Sequence, residues 1–152
     1  QGEIVSFDTD MVGPYGYCAD ISRTFVCGNI FNDNQKNLYS MAVNQINHNS
    51  SLIKDGTTFK EFIEKSWKLP KEYYGNRYSV MVHGIGLCDE WPSIRYPTDG
   101  GDKGGIFQKN MTITVESYIG KVGGKEGVKL EQQYLVGQNG LELMSHHPLE
   151  DI

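Results

Sequence analysis

Acidic residues and one histidine are spaced along this chain in a way that could hold a metal ion. Asp8 and Asp10 close an apolar-polar run that starts at Glu3, and Asp20 lies inside the run from Tyr17 to Cys27. Glu116 lies inside Thr112-Ile-Thr-Val-Glu-Ser and Glu131 inside Val128-Lys-Leu-Glu-Gln. A carboxylate in mid-strand is unfavourable in a core unless something neutralises it. Several of them on adjacent strands would repel one another, and a shared divalent cation removes that conflict. Hard oxygen ligands with one imidazole suit Mn, Fe, Co or Zn. His83 is the candidate imidazole, because Gly84 and Gly86 beside it allow close backbone approach. The ordinary readings stand next to this one. An isolated strand acid usually faces solvent, Asp20 could pair with Arg23, and a lone histidine is more often structural than a ligand.

The elements that must position these groups are readable in outline. Residues 3–8 alternate as a half-buried strand does, and Gly13-Pro14-Tyr15-Gly16 is a turn into a second strand over 17–27, so the two predict a hairpin. Apolar spacing over 33–54 (Leu38, Met41, Ala42, Ile46, Ile53) predicts a helix ended by Gly56. Thr58-Phe-Lys-Glu61 is a capping-box pattern that opens a helix to about Trp67, and residues 70–75 read as a further helical turn. Strands are expected over 79–83, 111–119, 128–136 and 141–144, and residues 90–105 read as loop. The order of elements predicts an α+β fold, an antiparallel sheet with helices on one face.

A chain of 152 residues is the length of one domain. Its net charge of −5 argues against nucleic acid or an anionic membrane surface as the main partner. No apolar run is long enough for a membrane span or a signal peptide. Cys18, Cys27 and Cys88 lack zinc-site spacing and read as reduced thiols of a cytoplasmic protein. His48, His146 and His147 read as surface residues. The start at Gln1 and the stop at Ile152 suggest a piece of a longer chain.

Four motifs occur in order: Gly16-Tyr17-x-x-Asp20-Ile-Ser-Arg23-Thr24-Phe25, His83-Gly-Ile-Gly-Leu, Met111-Thr-Ile-Thr-Val-Glu116 and Gly127-Val-Lys-Leu-Glu131. Together they resemble the pita-bread metallohydrolases, the family of aminopeptidase P, prolidase, methionine aminopeptidase and creatinase. The resemblance implies the C-terminal, metal-bearing part of that fold over residues 1–152, a curved antiparallel sheet. The N-terminal domain and the first half-repeat are not among these residues. It also implies a dinuclear metal site, a homodimer in the intact protein, and Arg23 bracing Asp20 or a Glu ligand.

Three departures from the peptidases carry chemical content. The peptidases have a single Asp at the place of Thr9, which here is bracketed by Asp8 and Asp10. Ser79 stands where they keep a His, and Asp89 stands about where they keep a second one. Those His residues bind and protonate the tetrahedral intermediate of amide cleavage. Their loss, with a carboxylate gained, suggests a base that abstracts a proton beside a metal-held substrate carboxylate.

One branch of the family resembles this pattern more closely, the dimethylsulfoniopropionate (DMSP) lyases of the DddP type. The likeness lies in Phe7-Asp-x-Asp10, Gly13-Pro-Tyr-Gly-Tyr-Cys-Ala-Asp20-Ile-Ser-Arg23 and His83-Gly-Ile-Gly-Leu-Cys-Asp89-Glu90-Trp91-Pro92. It implies six metal ligands, Asp8, Asp10, Asp20, His83, Glu116 and Glu131, holding two divalent ions. Iron is the metal implied, with Mn, Co and Zn as alternatives. The reaction implied is β-elimination of dimethyl sulfide from DMSP, with Asp89 as the base. Tyr78 joins Asp89 as a catalytic candidate, and Tyr78 and Trp91 are aromatic walls for the sulfonium. The competing readings are a Xaa-Pro-type metallopeptidase and a binding module of the same fold without metal.

Overall fold

The computed structural model describes residues 1–28, 30–87, 90–101 and 103–149. A hairpin opens the chain, β1 (Ile4–Val12) and β2 (Cys18–Val26), joined through a 3-10 turn at Pro14–Gly16. Three helices follow: α1 (Asp33–Ser51), α2 (Phe59–Lys65) and α3 (Lys71–Tyr74). The rest is β3 (Val80–Gly84), β4 (Ser93–Arg95), β5 (Thr112–Gly120), β6 (Gly127–Val136) and β7 (Leu141–Leu143). The strands form one antiparallel sheet in the order β1-β2-β6-β5-β3-β4, with β7 on β6.

Local chemistry accounts for the helices. Asn32 accepts from the Gln35 amide while the Gln35 side chain accepts from the Asn32 amide, which starts α1. Thr58 and Glu61 make the same reciprocal pair at α2. The buried stripe of α1 includes Leu38, Tyr39, Ala42 and Ile46, packed with Ile119 of β5 and Val128 and Leu130 of β6. Phe59 and Phe62 of α2 pack with Met81, Ile94, Phe107, Ile113 and Val115. Gln45, buried on α1, donates to the Tyr96 hydroxyl at 2.7 Å and accepts from Ser117 at 2.7 Å, so its amide is satisfied inside the core.

Strand alternation then sorts the sheet into two faces. On β5, Ile113, Val115 and Ile119 face the helices, so Thr114 and Glu116 face away. On β6, Val128, Leu130, Tyr134 and Val136 face the helices, so Lys129, Glu131 and Gln133 face away. The hairpin departs from this cover. Val5, Phe7 and Met11 of β1 are each more than half exposed, and β1 ends the strand order.

Most predicted elements are present with ends moved by a few residues. The expected loop over 90–105 is a correction: it contains β4, which pairs with β3, and a 3-10 turn at Pro97–Asp99. A three-residue strand is too short to show a period in sequence. His48 is also more than a surface residue, since its ring bonds the Lys65 carbonyl at 2.9 Å and ties α1 to the end of α2.

Gly84 closes β3 where the chain folds back. Its amide donates to the Pro92 carbonyl at 2.8 Å, and a Cβ at this position would stand 1.9 Å from the Trp91 carbonyl oxygen. That obstacle is backbone and cannot rotate away. Gly84→Ala is therefore expected to lower stability by about 3 kcal/mol, the severe end of overpacking, and to disturb His83 beside it. Thermal unfolding followed by circular dichroism measures this, and an unchanged midpoint would show that the 91–92 segment yields freely.

Candidate metal centre

The face of the sheet turned away from α1 and α2 collects the acids. Register places them: Asp10 lies opposite Asp20, Asp8 opposite Ser22, Ser22 opposite Glu131, and Glu131 opposite Glu116. Like charges directly across a ladder are destabilising, so these pairings need a cation. His83 enters from β3, opposite Thr114.

Asp20, His83, Glu116 and Glu131 are all buried. His83 Nε2 lies 3.2 Å from Glu116 Oε1, 3.2 Å from Glu131 Oε1 and 3.7 Å from Asp20 Oδ2. Its other nitrogen, Nδ1, lies 2.9 Å from the Gly84 carbonyl, which can only accept. The proton therefore belongs on Nδ1, and Nε2 is the nitrogen aimed at the acids, as in a metal-ligating histidine held by an outer hydrogen bond. Asp20, His83 and Glu131 each bring one ligand atom within 4.8 Å of the others.

Glu116 and Glu131 share a further geometry. While each sends Oε1 to His83, each sends Oε2 the other way, to Lys129 Nζ, at 2.5 and 3.0 Å. Lys129 Nζ also lies 3.6 Å from Asp8 Oδ2 and 3.1 Å from Ser22 Oγ. Ser22 donates to Glu131 Oε2 at 2.9 Å and makes a short bond to Asp8 Oδ1.

Titration behaviour follows from this crowding. Burial and the carboxylates of Glu131, Asp10 and Asp8 push Asp20 up to about 8. Burial, helped by Glu131, also holds Glu116 above the usual carboxylate range. Burial would raise Glu131 too, but His83 and Lys129 outweigh it and hold Glu131 at about 2. Burial opposes a charged imidazole at His83, yet Glu116 and Glu131 prevail and push it up to about 11. A divalent cation would replace the proton on Nε2. The oxygen atoms fit such an ion: Asp20 Oδ1, Glu116 Oε1 and Glu131 Oε1 are buried and make no hydrogen bond.

The remaining sequence candidates fall at different places. Asp8 and Asp10 are the exposed acids of the group, on the face of β1 that meets Ser22 and Asp20 across the ladder. Tyr78 is partly exposed, with its ring 5.0 Å from Lys129 Nζ. Burial, with Glu116 next, pushes the Tyr78 hydroxyl up to about 12. The Trp91 ring is half exposed and faces Lys103 Nζ at 5.5 Å. Asp89 and Cys88 lie outside the described residues. Arg23 does not brace a ligand carboxylate. It points to the other face, where it donates to the carbonyls of Glu131, Ser22, His147 and Pro148 and to Gln132 Oε1. Alternation explains this, because Arg23 is one residue from Ser22 and three from Asp20.

Sequence reasoning did not assign Lys129 or Ser22 to the site. The signal was present, since each is two residues from a candidate ligand on its own strand, Glu131 and Asp20, and so on the same face.

Among the described residues, no helix is long and apolar enough to cross a membrane. The family model of metallopeptidase family M24 matches residues 1–138. The chain is 37% identical over 154 residues to dimethylsulfoniopropionate lyase DddP of Roseovarius nubinhibens, covering 99% of this chain and 34% of that protein. It is 35% identical to the DddP lyase of Roseobacter denitrificans, with the same coverage. Among solved structures, prolidase from Pyrococcus furiosus superposes with a TM-score of 0.81 at 26% identity, covering 97% of this chain and 42% of that one. X-Pro aminopeptidase from Thermotoga maritima gives 0.77 at 27% identity, covering 99% and 41%. The chain thus spans about a third of the length of the two lyases.

Proposed function

The chain belongs to metallopeptidase family M24, and on that premise we propose that the full-length protein is a metal-dependent lyase that cleaves DMSP to dimethyl sulfide and acrylate. The observation that carries this reading is the contrast in identity: 37% and 35% to the two DddP lyases, against 29% to the uncharacterized peptidase YqhT of Bacillus subtilis. Ser79 and Asp89, at the places of the peptidase histidines, support it chemically.

Residues 1–152 are the metal-bearing part of the catalytic domain, with Asp8, Asp10, Asp20, His83, Glu116 and Glu131 as ligands of two divalent ions, iron in the first instance. When bound, such ions supply Lewis acidity that polarises the substrate carboxylate and makes its α-proton easier to remove. Asp89 takes that proton. The C–H electron pair becomes the new C=C bond, the Cβ–S bond breaks, and its electron pair leaves with sulfur. The sulfonium departs as neutral dimethyl sulfide, so no residue need protonate it. Tyr78 and Trp91 offer aromatic faces to that cation at about 0.5–2 kcal/mol per ring. The same reading carries a homodimeric, cytoplasmic protein, supported by the resemblance and by free Cys18 and Cys27.

The test is headspace detection of dimethyl sulfide from the full-length, iron-loaded protein mixed with DMSP, with a Xaa-Pro dipeptide in parallel. Release of dimethyl sulfide is expected. Dipeptide cleavage without it would sink the lyase reading and favour the peptidase one, which the fit to prolidase and X-Pro aminopeptidase supports.

A further inference from the structure

The site has two poles, one at the His83 imidazole, which can itself be a metal ligand, and one at the Lys129 ammonium, which cannot. Glu116 and Glu131 each present one oxygen to either pole. At the His83 pole, their Oε1 atoms lie 3.2 Å from Nε2 and Asp20 Oδ2 lies 3.7 Å from it. At the other pole, their Oε2 atoms, Asp8 and Ser22 surround Lys129 Nζ. A pair of divalent ions shared by two bridging carboxylates would need these same Oε2 atoms for its second member.

We propose that Lys129 is a built-in competitor for the second metal position, so that the two ions load in order. The inference rests on the metal-pair part of the function proposed above, and not on the substrate. The first ion enters at His83, Asp20, Glu116 and Glu131, where the Glu116 and Glu131 Oε1 atoms face only His83 Nε2, itself a ligand atom. The second can enter beside Asp8 only when the Lys129 ammonium gives up its contacts to Glu116 and Glu131. An ammonium held there also weakens the negative field that would draw a second dication. Burial keeps Lys129 in place: it is 7% exposed, its backbone amide and carbonyl are both bonded to Thr24 Oγ1, and its Nζ lies over the Tyr78 ring. The arrangement gives Lys129 a positioning role. Without metal it spreads Glu116 and Glu131 in the orientation that the first ion uses.

Calorimetric titration of the metal-free, full-length protein with Mn2+ tests this without substrate. Two separated binding steps are expected in the wild type. In Lys129→Met the second step is expected to tighten by about ten- to hundredfold, the worth of displaced charged hydrogen bonds, while the first changes little. Lys129→Arg, which keeps a cation at the position, should retain a weak second step. The metal-free Lys129→Met protein should also unfold at a lower temperature than wild type and regain the difference when loaded. Two ions bound by the wild type in one step would overturn the proposal even if the methionine variant fails to fold. So would a second step that is unchanged in Lys129→Met, or one equally tightened in Lys129→Arg. A wild type that binds no Mn2+ would overturn the metal site itself. Absence of dimethyl sulfide from a protein that loads its ions in order would overturn only the lyase assignment.

Discussion

His83→Ala in the full-length protein is expected to strip the metal and abolish turnover together. His83 brings the one nitrogen among the candidate ligands, and Nδ1 is already committed to the Gly84 carbonyl, so Nε2 is positioned before any ion arrives. An outer hydrogen bond to a ligand is worth about 10–100-fold in metal affinity, so loss of the ligand itself should exceed that range. The metal-free protein suffers as well. In it the imidazole carries a proton against Glu116 and Glu131, and removing one partner of a buried ionic group costs about 3–5 kcal/mol. Elemental analysis after dialysis, run beside the activity assay and a thermal scan, separates these effects. Full metal content in the variant would show that the ligands lie elsewhere.

Asp89→Asn should give the opposite pairing, metal retained and elimination lost. Asp89 itself lies outside the described residues, but both flanks are fastened at the His83 end of the sheet. The Gly86 carbonyl accepts from the Cys18 amide at 2.8 Å, and the Pro92 carbonyl accepts from the Gly84 amide at 2.8 Å. A base working in the transition state contributes about 10²–10⁴-fold, and the asparagine keeps the size of the side chain while removing its basicity. The rate of dimethyl sulfide release should fall by that factor with metal content unchanged. Loss of metal in this variant would move Asp89 into the ligand set, and an undiminished rate would mean that another group is the base.

The candidate site was legible because strands have a period of two. Glu116 and Glu131 each lie one residue from a buried apolar position, Val115 and Leu130, so they share the face turned away from the core, where they stand out as carboxylates in mid-strand. The same rule, applied to cations, would have drawn in Lys129, which differs from a solvated strand lysine only by tertiary placement. Arg23, adjacent to Ser22, faces the other way under the same rule, so it holds Glu131 by the main-chain carbonyl and not by the carboxylate. The α1 and α2 starts were clear from their capping residues, which act locally. β4 was not, because three residues carry no period and its pairing depends on Gly84 admitting the 91–92 backbone. Nor could sequence show that Glu116 and Glu131 split their oxygens between two cations, which depends on register between strands distant in the chain.

The uncovered hairpin bears on how this molecule can be handled. β1 stands at the end of the strand order with Val5, Phe7 and Met11 pointing outward. An apolar end strand with free backbone groups is a template for pairing with another chain. A polypeptide limited to these residues would thus tend toward oligomers and precipitates that grow from this edge. Light scattering would register them, and apparent metal stoichiometries would drift with protein concentration as Asp8 and Asp10 became trapped between molecules.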